Sequence, residues 1–291
     1  MATRKIHFFT GKGGVGKSTL AAAFAQHLSN TADVTASESS SKILLAELSE
    51  RSFYNHFFTP SSKKGSEQDS LNFDLEQWSP DACLREYALH LLKIESLYKL
   101  FFQNPVSKSL IQVAPGLQEL AILGKATSSP RKHGPPTLHD EVVLDAFASG
   151  HFLNLLRAPK AMSEIISFGP MSEQSRSIDK WIRNPDFTFI HIVTTAEDYA
   201  VTETLELAKV IQSEFKISPK IYLNKTSGLT ISSVNNSDET VLTDLVEREN
   251  LARQQLQAAG FKFLEIPLNT SESNIEMIKK LSECFVRVKH V

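Results

Sequence analysis

The chain has 291 residues, and 41% of them are apolar, so it can build a sizeable core as one large or two small domains. Its 31 basic and 33 acidic residues carry no long block of one sign, which argues against a protein that wraps nucleic acid. No run approaches the roughly 20 apolar residues of a membrane span, and the amino end lacks a signal-peptide pattern. We therefore expect a cytoplasmic, globular protein without a nucleic-acid partner and without stable membrane insertion.

The amino-terminal part of the chain predicts a strand, a turn and a helix in direct succession. Lys5–Thr10 is a short apolar run typical of a buried strand, and Gly11–Gly16 is rich in glycine. An alanine-rich apolar segment from Lys17 to about Leu28 predicts a helix. The polar, serine-rich stretch Ser29–Ser41 that follows is typical of a surface loop.

The rest of the chain alternates between strand and helix patterns after an ambiguous start. Ile43–Leu48 is too short for its periodicity to separate strand from helix. Helical spacing of leucine and alanine predicts a helix that begins at Pro80 and a second helix over Leu117–Leu123. Later segments predict strands over Glu141–Asp145, Phe187–Val193, Lys220–Leu223 and Phe261–Ile266, and helices over Ala161–Ile182, Thr202–Phe215, Thr240–Ala259 and Glu272–Val286.

This alternation predicts an α/β fold with a mostly parallel central sheet and helices on both faces. The helical stretch interrupts the alternation, and we interpret residues 75–127 as a helical insertion on one side of the sheet. The sequence contains no internal repeat and no linker long enough to divide it. We therefore expect a single domain over residues 1–291.

The glycine-rich turn carries the most specific motif of the chain. Residues 11–19 read GKGGVGKST and satisfy G-x-x-x-x-G-K-[ST] between a predicted strand and a predicted helix. Glycines allow backbone N–H groups to surround an anion, and the helix dipole favours negative charge at the same point. The motif predicts that phosphate groups bind to Gly11, Lys12, Gly13, Gly14, Val15, Gly16, Lys17, Ser18 and Thr19. Lys17 can reach the β- and γ-phosphate oxygens, and the Ser18 hydroxyl can ligate Mg²⁺.

Several segments resemble one branch of the P-loop ATPases. The second lysine of the loop, Lys12, resembles the deviant Walker A motif of the ParA/MinD/ArsA branch. Residues 145–151, DAFASGH, resemble the D-T-A-P-T-G-H switch II of the ArsA family, and residues 114–120, APGLQEL, resemble the A-P-G-x-x-E segment that precedes it. The resemblance to this family, which contains arsenite-pump and tail-anchored-protein-targeting ATPases, extends from Lys5 to about Pro267.

The resemblance implies roles for individual residues. It implies that Lys12 reaches the nucleotide of a partner subunit and that Lys17 stabilises transferred charge. Asp145 would help Ser18 to hold Mg²⁺, and the Asn224 amide would bind the adenine edge. The implied cofactors are ATP and Mg²⁺, in a homodimer or in a heterodimer with a related ATPase.

Switch I departs from the common S-T-D-P-A-H of the family, and two registers are open. In the first, Asp33–Ser37 is the second strand and Glu38 takes the acid position that positions the attacking water. In the second, Ile43–Leu48 is the strand and Ser49 falls at the acid position. We favour the first register, because it keeps the connection from the phosphate helix short. Either register predicts slow or partner-dependent hydrolysis, since a serine cannot accept a proton near neutral pH and Glu38 lacks the proline that follows the family aspartate.

The numbers and positions of the cysteines and methionines narrow the range of functions that we expect within the family. Cys83 and Cys284 are too few and too far apart for a three-thiolate metalloid site, and no C-x-x-C is present for a zinc-closed dimer. The four methionines all lie outside Pro80–Gly124, which argues against a methionine-rich client groove.

Together these observations predict a dimeric ATP-dependent switch protein of the ArsA type that hydrolyses ATP and acts on a protein client or partner. Two other functions stay open at this point. One is a non-hydrolysing, nucleotide-gated subunit of a heterodimer, and the other is a ParA/MinD-like positioning ATPase.

Overall fold

A computed structural model describes residues 4–35, 42–58, 71–92, 116–229 and 239–286. These residues form one seven-stranded sheet in which every neighbouring pair is parallel, in the order β3-β2-β4-β1-β5-β6-β7. The predicted α/β fold with a parallel central sheet is therefore confirmed. The strands are β1 Lys5–Thr10, β2 Ile43–Glu47, β3 Asp74–Gln77, β4 Glu141–Asp145, β5 Thr188–Thr194, β6 Lys220–Thr226 and β7 Phe263–Pro267.

The helices connect these strands, and three of them begin at residues that favour a helix start. Pro80 and Pro170 stand at the first helical position of their helices, and the Ser273 hydroxyl accepts a hydrogen bond from the Glu276 N–H as an N-cap. The helices are α1 Lys17–Thr35, α2 Tyr54–Phe57, α3 Pro80–Leu92, α4 Leu117–Ala126, α5 Ser128–Arg131, α6 Ser149–Ile165, α7 Pro170–Ile182, α8 Asp198–Val210, a π-helical turn Ile211–Phe215, α9 Glu239–Ala258 and α10 Asn274–Cys284.

Successive side chains of the strands point to opposite faces and build two cores. Phe8 packs in a core with residues of α3, α4 and α6 to α9, whereas Phe9 packs in a second core with residues of α1 and α10. Both phenylalanines are fully buried. The sheet is therefore covered on both faces, which explains why the strands are almost continuously apolar.

The favoured register for the second strand is wrong. Residues 33–35 belong to α1, and Ile43–Glu47 form β2 between β3 and β4. The polar composition of Ser29–Thr35 predicted a loop, but Asn30 and Thr31 find hydrogen-bond partners within the helix, and Ser29 donates to the Asn72 carbonyl. The Thr31 hydroxyl donates to the carbonyls of His27 and Leu28, and the Gln26 amide donates to Asn30 Oδ1 at 2.6 Å.

The region predicted as a helical insertion begins with a strand that its pattern did not predict. β3 pairs with β2 at the sheet edge, and all four of its side chains are exposed, so no apolar alternation marked it. α3 and α4 pack against each other and α4 packs against α6, on the face that carries Phe8. Residues 93–115 of the predicted insertion lie outside the described residues, so its extent over 75–127 and the single-domain boundary remain predictions.

A line of polar side chains crosses four neighbouring strands, and all of them except the partly exposed Glu141 are buried. Glu141 Oε2 lies 2.8 Å from His7 Nε2, His7 Nδ1 lies 3.1 Å from His191 Nε2, and His191 Nδ1 lies 2.8 Å from the Tyr222 hydroxyl. We call Glu141, His7, His191 and Tyr222 the histidine chain. Burial lowers the pKa of both imidazoles, and a single tautomer pattern then satisfies every contact. Tyr222 donates to His191, His191 to His7, and His7 to Glu141.

Candidate functional site

The glycine-rich loop joins β1 to α1 at the carboxyl end of the sheet, as the motif predicted. Two of its glycines are required by close approaches. A Cβ on Gly11, whose φ is +137°, would lie 2.1 Å from the Val193 carbonyl oxygen of β5. A Cβ on Gly16, whose φ is +96°, would lie 2.5 Å from Asn224 Nδ2 of β6. The loop can therefore cross the ends of β5 and β6 only without side chains at these positions.

The outer part of the loop is open. Gly13 and Gly14 are exposed, and no heavy atom lies within 4 Å of a Cβ placed on either of them. Gly14 also has a φ of +83°, in the left-handed region. Backbone amides at the end of a parallel sheet and the amino end of α1 thus border free space, which is the arrangement that accommodates a phosphate group.

The two loop lysines have different surroundings. Lys17 Nζ donates to the Lys12 carbonyl oxygen at 3.1 Å, the one hydrogen bond of its ammonium in the described part of the chain. Burial lowers the pKa of Lys17, and the carboxylates of Asp145 and Glu203 oppose that shift. Lys12 Nζ lies 5.7 Å from the centroid of the Tyr199 ring, and Tyr199 itself is 80% exposed. The predicted reach of Lys12 to a partner subunit remains a prediction.

Asp145 ends β4 next to the amino end of α1, where the sequence places the magnesium ligands. Its carboxyl group is buried and lies close enough to the Ser18 side chain for that side chain to affect its pKa. Burial raises the pKa of Asp145 to about 6, although hydrogen bonds from Ser18 and Tyr54 and the charge of Lys17 oppose that shift. The structure thus brings Lys17, Ser18 and Asp145 together as predicted.

Glu47 is a second buried carboxylate at this edge. It ends β2 and pairs in register with Asp145 of β4, and its negative charge adds to the rise in the Asp145 pKa. Both of its oxygens are occupied: Oε1 accepts from the Phe53 N–H at 2.6 Å and Oε2 accepts from the Ser52 hydroxyl at 2.8 Å. Glu47 therefore holds the turn that leads into α2.

Tyr54 is a site residue that the sequence did not reveal. Its side chain is fully buried, and its hydroxyl lies 2.8 Å from the Ser18 carbonyl oxygen and 3.2 Å from Asp145 Oδ2. Burial, reinforced by the charge of Asp145, raises the pKa of the phenol well above its usual range. No motif marks this tyrosine, because only the return of α2 over the end of the sheet brings it to Asp145.

Asn224 contacts the loop from β6. Its Nδ2 donates to the Val15 carbonyl oxygen at 2.8 Å, and the next residue, Lys225, donates to the Gly14 carbonyl oxygen at 3.0 Å. Asn224 is therefore beside the candidate nucleotide site, as the resemblance implied. Its binding to an adenine edge remains a prediction.

The segment that resembles switch II lies between β4 and α6. The Thr10 hydroxyl donates to the Phe147 carbonyl at 2.8 Å, and the His151 ring stacks on Phe147 with 4.1 Å between centroids. The Ser149 hydroxyl donates to Glu203 of α8, whose carboxylate also acts on Lys17. Glu203 is a second residue that sequence reasoning missed, since its sequence position is about 190 residues from the loop.

The candidates for switch I are not brought together as expected. Glu38 lies outside the described residues, and the register that placed it directly after the second strand is wrong because β2 is Ile43–Glu47. Ser49 instead follows the strand by two residues. Its hydroxyl donates to the Arg51 carbonyl at 2.8 Å, and its own carbonyl accepts from Gln77.

The donor set suits a hard cation held partly by phosphate. Ser18 and Asp145 offer oxygen atoms, which Mg²⁺ prefers, and Mg²⁺ takes few protein ligands when it is bound with a nucleotide. Within the described ranges, no group of three or more histidine, cysteine, aspartate or glutamate residues forms a metal site of its own.

Among the described helices, none is long and apolar enough to cross a membrane.

The model of the anion-transporting ATPase family, ArsA, matches residues 4–36. This match covers β1, the glycine-rich loop and α1, which are the elements that carry Gly11, Lys17 and Ser18. The rest of the resemblance rests on individual relatives.

Curated relatives extend the similarity along the chain. The ATPase BagA of Mycobacterium tuberculosis strain H37Rv is 28% identical over 237 residues, which are 75% of this chain and 64% of that protein. The putative ATPase Mb3704 of Mycobacterium bovis matches equally. A putative arsenical pump-driving ATPase of Halobacterium salinarum is 28% identical over 175 residues, 57% of this chain and 25% of that protein. The chain thus spans less than two thirds of the length of these relatives. The chain is thus similar to the ArsA family model over β1, the glycine-rich loop and α1, and to these ATPases over a larger part of its length.

Proposed function

We propose that the chain is an ATP-binding switch protein of the ArsA type that hydrolyses ATP slowly. The observation that carries this proposal is the juxtaposition of an open glycine loop with Lys17, Ser18 and Asp145 at the carboxyl end of a parallel sheet. In such sheets ligands bind at this edge. Similarity to an ATPase family supports the same function.

The chain's own groups would bind the triphosphate without a large rearrangement. Among the described residues Lys17 donates one hydrogen bond, so its ammonium can also donate to the β- and γ-phosphate oxygens. The open amides near Gly13 and Gly14 would surround the phosphates, and the amino end of α1 would add its dipole. A bound anion would also relieve the unfavourable burial of the Lys17 charge.

Ser18 and Asp145 would hold Mg²⁺ together with the phosphates. When bound, this ion neutralises charge on the transferred phosphoryl group. Asp145 is buried and already oriented by Ser18 and Tyr54, so its carboxylate is fixed in direction. The site therefore contributes a hydroxyl, a carboxylate and an ammonium within one small volume.

The residues at and after the end of β2 are the reason we expect slow hydrolysis. Ser49 stands where the family has its aspartate, and a serine hydroxyl does not accept a proton near neutral pH. Glu47 is close, but both of its oxygens already accept hydrogen bonds from the turn before α2. This observation also favours a second candidate function, a nucleotide-gated binding subunit with negligible turnover.

The proposed switch works through a second subunit, either another copy or a related ATPase. Lys12 and the exposed Tyr199 border the open side of the loop, where a facing subunit would contact them. Nucleotide binding would bring the two subunits together, hydrolysis would release them, and the change would act on a protein client. We propose no nucleic-acid partner and no stable membrane insertion for this cytoplasmic cycle.

The test is calorimetric titration of the full chain with ATP in the presence of Mg²⁺. We expect binding by the wild-type chain, loss of at least about 100-fold in affinity for Lys17→Ala, and no change for Lys209→Ala, a control on the exposed side of α8. Absence of nucleotide uptake by the wild type would refute the proposal. Phosphate release measured on the same samples separates the two candidate functions. If the chain binds ATP but releases no phosphate, alone or with a sister subunit, it is the nucleotide-gated binding subunit and not the slow ATPase.

A further inference from the structure

The segment that follows β2 is tied to the magnesium corner by one hydroxyl group. Tyr54 is fully buried in α2, and its hydroxyl contacts the Ser18 carbonyl oxygen at 2.8 Å and Asp145 Oδ2 at 3.2 Å. Ser18 and Asp145 are the two residues placed above as magnesium ligands. One side chain from the switch I segment thus touches both residues.

Contacts on both sides of Tyr54 in the sequence determine where its side chain lies. Glu47 at the end of β2 accepts hydrogen bonds from the Phe53 N–H and the Ser52 hydroxyl, and so fixes the turn immediately before Tyr54. The Leu48 N–H donates to the Asp145 carbonyl oxygen at 3.1 Å, which ties the chain after β2 to the end of β4. The Tyr54 ring also stacks on Phe58, with 5.5 Å between centroids. The hydroxyl is therefore held in place from both sides of the sequence.

The hydrogen bonds of the Tyr54 hydroxyl depend on what Asp145 binds. A phenol has one hydrogen to donate, and both the Ser18 carbonyl and the ionised Asp145 carboxylate are acceptors. The hydroxyl is therefore shared between them, and any group that reorients the carboxylate changes how the hydroxyl is shared. Because the Tyr54 hydroxyl is buried, the loss of either hydrogen bond costs free energy. Tyr54 belongs to α2, so the loss also affects how α2 is held.

We propose that Tyr54 is a positioning residue that couples occupation of the magnesium site to the order of residues 48–58. Its hydroxyl orients Asp145 for the ion's water shell, and the ion in turn holds α2 against α1. The inference rests on the proposed function, because it requires Mg²⁺ with a nucleotide at Ser18 and Asp145. It explains how the chain can link its switch I segment to the ligand although Ser49 replaces the family's acid.

The experiment measures the Mg²⁺ concentration that half-saturates the ATP-bound chain, and separately the affinity for ATP in EDTA. For Tyr54→Phe, which removes only the hydroxyl, we expect a five- to tenfold higher half-saturating Mg²⁺ concentration and an ATP affinity in EDTA within twofold of wild type. Tyr222→Phe is the matched control, since it removes a buried hydroxyl on β6 that contacts His191, and it should leave the Mg²⁺ requirement unchanged. Hydrogen exchange should show Mg²⁺-dependent protection of residues 53–58 in the wild type and its loss in Tyr54→Phe.

A double-mutant cycle separates positioning from a general loss of structure. If Tyr54 acts through Asp145, Tyr54→Phe should have no further effect on the Mg²⁺ requirement of Asp145→Asn. An additive effect, an unchanged Mg²⁺ requirement, or tighter Mg²⁺ binding by Tyr54→Phe would overturn the inference while the proposed function stands. A wild-type chain that binds no ATP, with or without Mg²⁺, would overturn both.

Discussion

Two groups of polar side chains, one within the sheet and one at its carboxyl end, differ in how completely their hydrogen bonds are made. In the histidine chain, each contact from Glu141 to Tyr222 pairs one donor with one acceptor across β4, β1, β5 and β6. In the corner around the glycine loop, Lys17 makes one hydrogen bond, and the single hydroxyl hydrogen of Tyr54 faces two acceptors.

This difference in hydrogen bonding distinguishes the histidine chain, which is a structural network, from the corner around the glycine loop, which is the candidate binding site. A fully satisfied buried network favours one arrangement of the strands and has no capacity for a further partner. A corner with unused donors and open space retains capacity that a ligand can fill. The two regions are close in the fold, since the Phe9 ring stacks on His191 at 4.4 Å and Phe9 is two residues before Gly11. The contrast predicts different responses to substitution.

The largest effect should come from Gly11→Ala, which tests whether the loop tolerates a side chain where it crosses β5. The new Cβ would meet the Val193 carbonyl oxygen at 2.1 Å and the residue would keep a positive φ. We expect the free energy of unfolding to fall by about 3 kcal/mol or more, measured by urea denaturation. Gly150→Ala on α6 is the control, because nothing lies within 4 Å of its Cβ. Equal stability of the two variants would contradict the close approach.

The histidine chain should make stability depend on pH. Burial lowers the pKa of His7 and His191, and Lys220 adds to the shift of both, while Lys5 lowers and Glu141 raises that of His7. The folded chain therefore binds fewer protons than the unfolded chain, and stability is lost as the pH falls below the usual value of about 6.5. As the pH falls below 6.5 we expect a progressive loss of stability, to which His191 contributes most because its pKa is lowered furthest.

Unfolding curves of the wild type and of a His7→Gln, His191→Gln double variant would measure this contribution. The amides retain hydrogen-bonding groups but do not titrate, so the variant should be less stable at pH 7.5 and less sensitive to acid. The exposed His56→Gln serves as control and should follow the wild type. Parallel pH curves for the wild type and the double variant would show that the histidine chain does not control acid stability.

A smaller effect is expected for Tyr222→Phe, which removes one donor from the histidine chain. His191 Nδ1 would lose its partner in a fully buried place, at a cost of about 1–2 kcal/mol in the free energy of unfolding. Tyr199→Phe, at an exposed ring, should change stability by less than about 0.5 kcal/mol. A neutral Tyr222→Phe would mean that the contact is not a stabilising hydrogen bond, and the two regions would then not differ as described.

The fold and the phosphate loop were predictable because both rest on local patterns. Apolar runs alternating with helical periodicity predicted a parallel α/β sheet, and the structure has seven parallel strands. The loop lies on contiguous residues, so strand, turn and helix are adjacent in sequence as in space. Lys17 and Ser18 lie near Asp145, whereas their roles toward a nucleotide and Mg²⁺ stay predictions.

The second strand shows where local reasoning failed. Ser29–Thr35 is polar and is typical of a loop, yet the Thr31 hydroxyl bonds within α1 and the helix continues. The short run Ile43–Glu47 is ambiguous alone, and it becomes a strand because β3 and β4 pair with it on both sides. Pairing supplies the backbone partners that a short apolar segment cannot provide by itself.

The sequence by itself determined the sheet class and the anion-binding loop, because these depend on the order of neighbouring residues. The tertiary structure alone decided that Ser49 and not Glu38 follows the second strand, that Tyr54 meets Asp145, and that four distant residues form the histidine chain. These contacts depend on which strands pair and in which register, and a shift of one residue would turn each side chain to the other face.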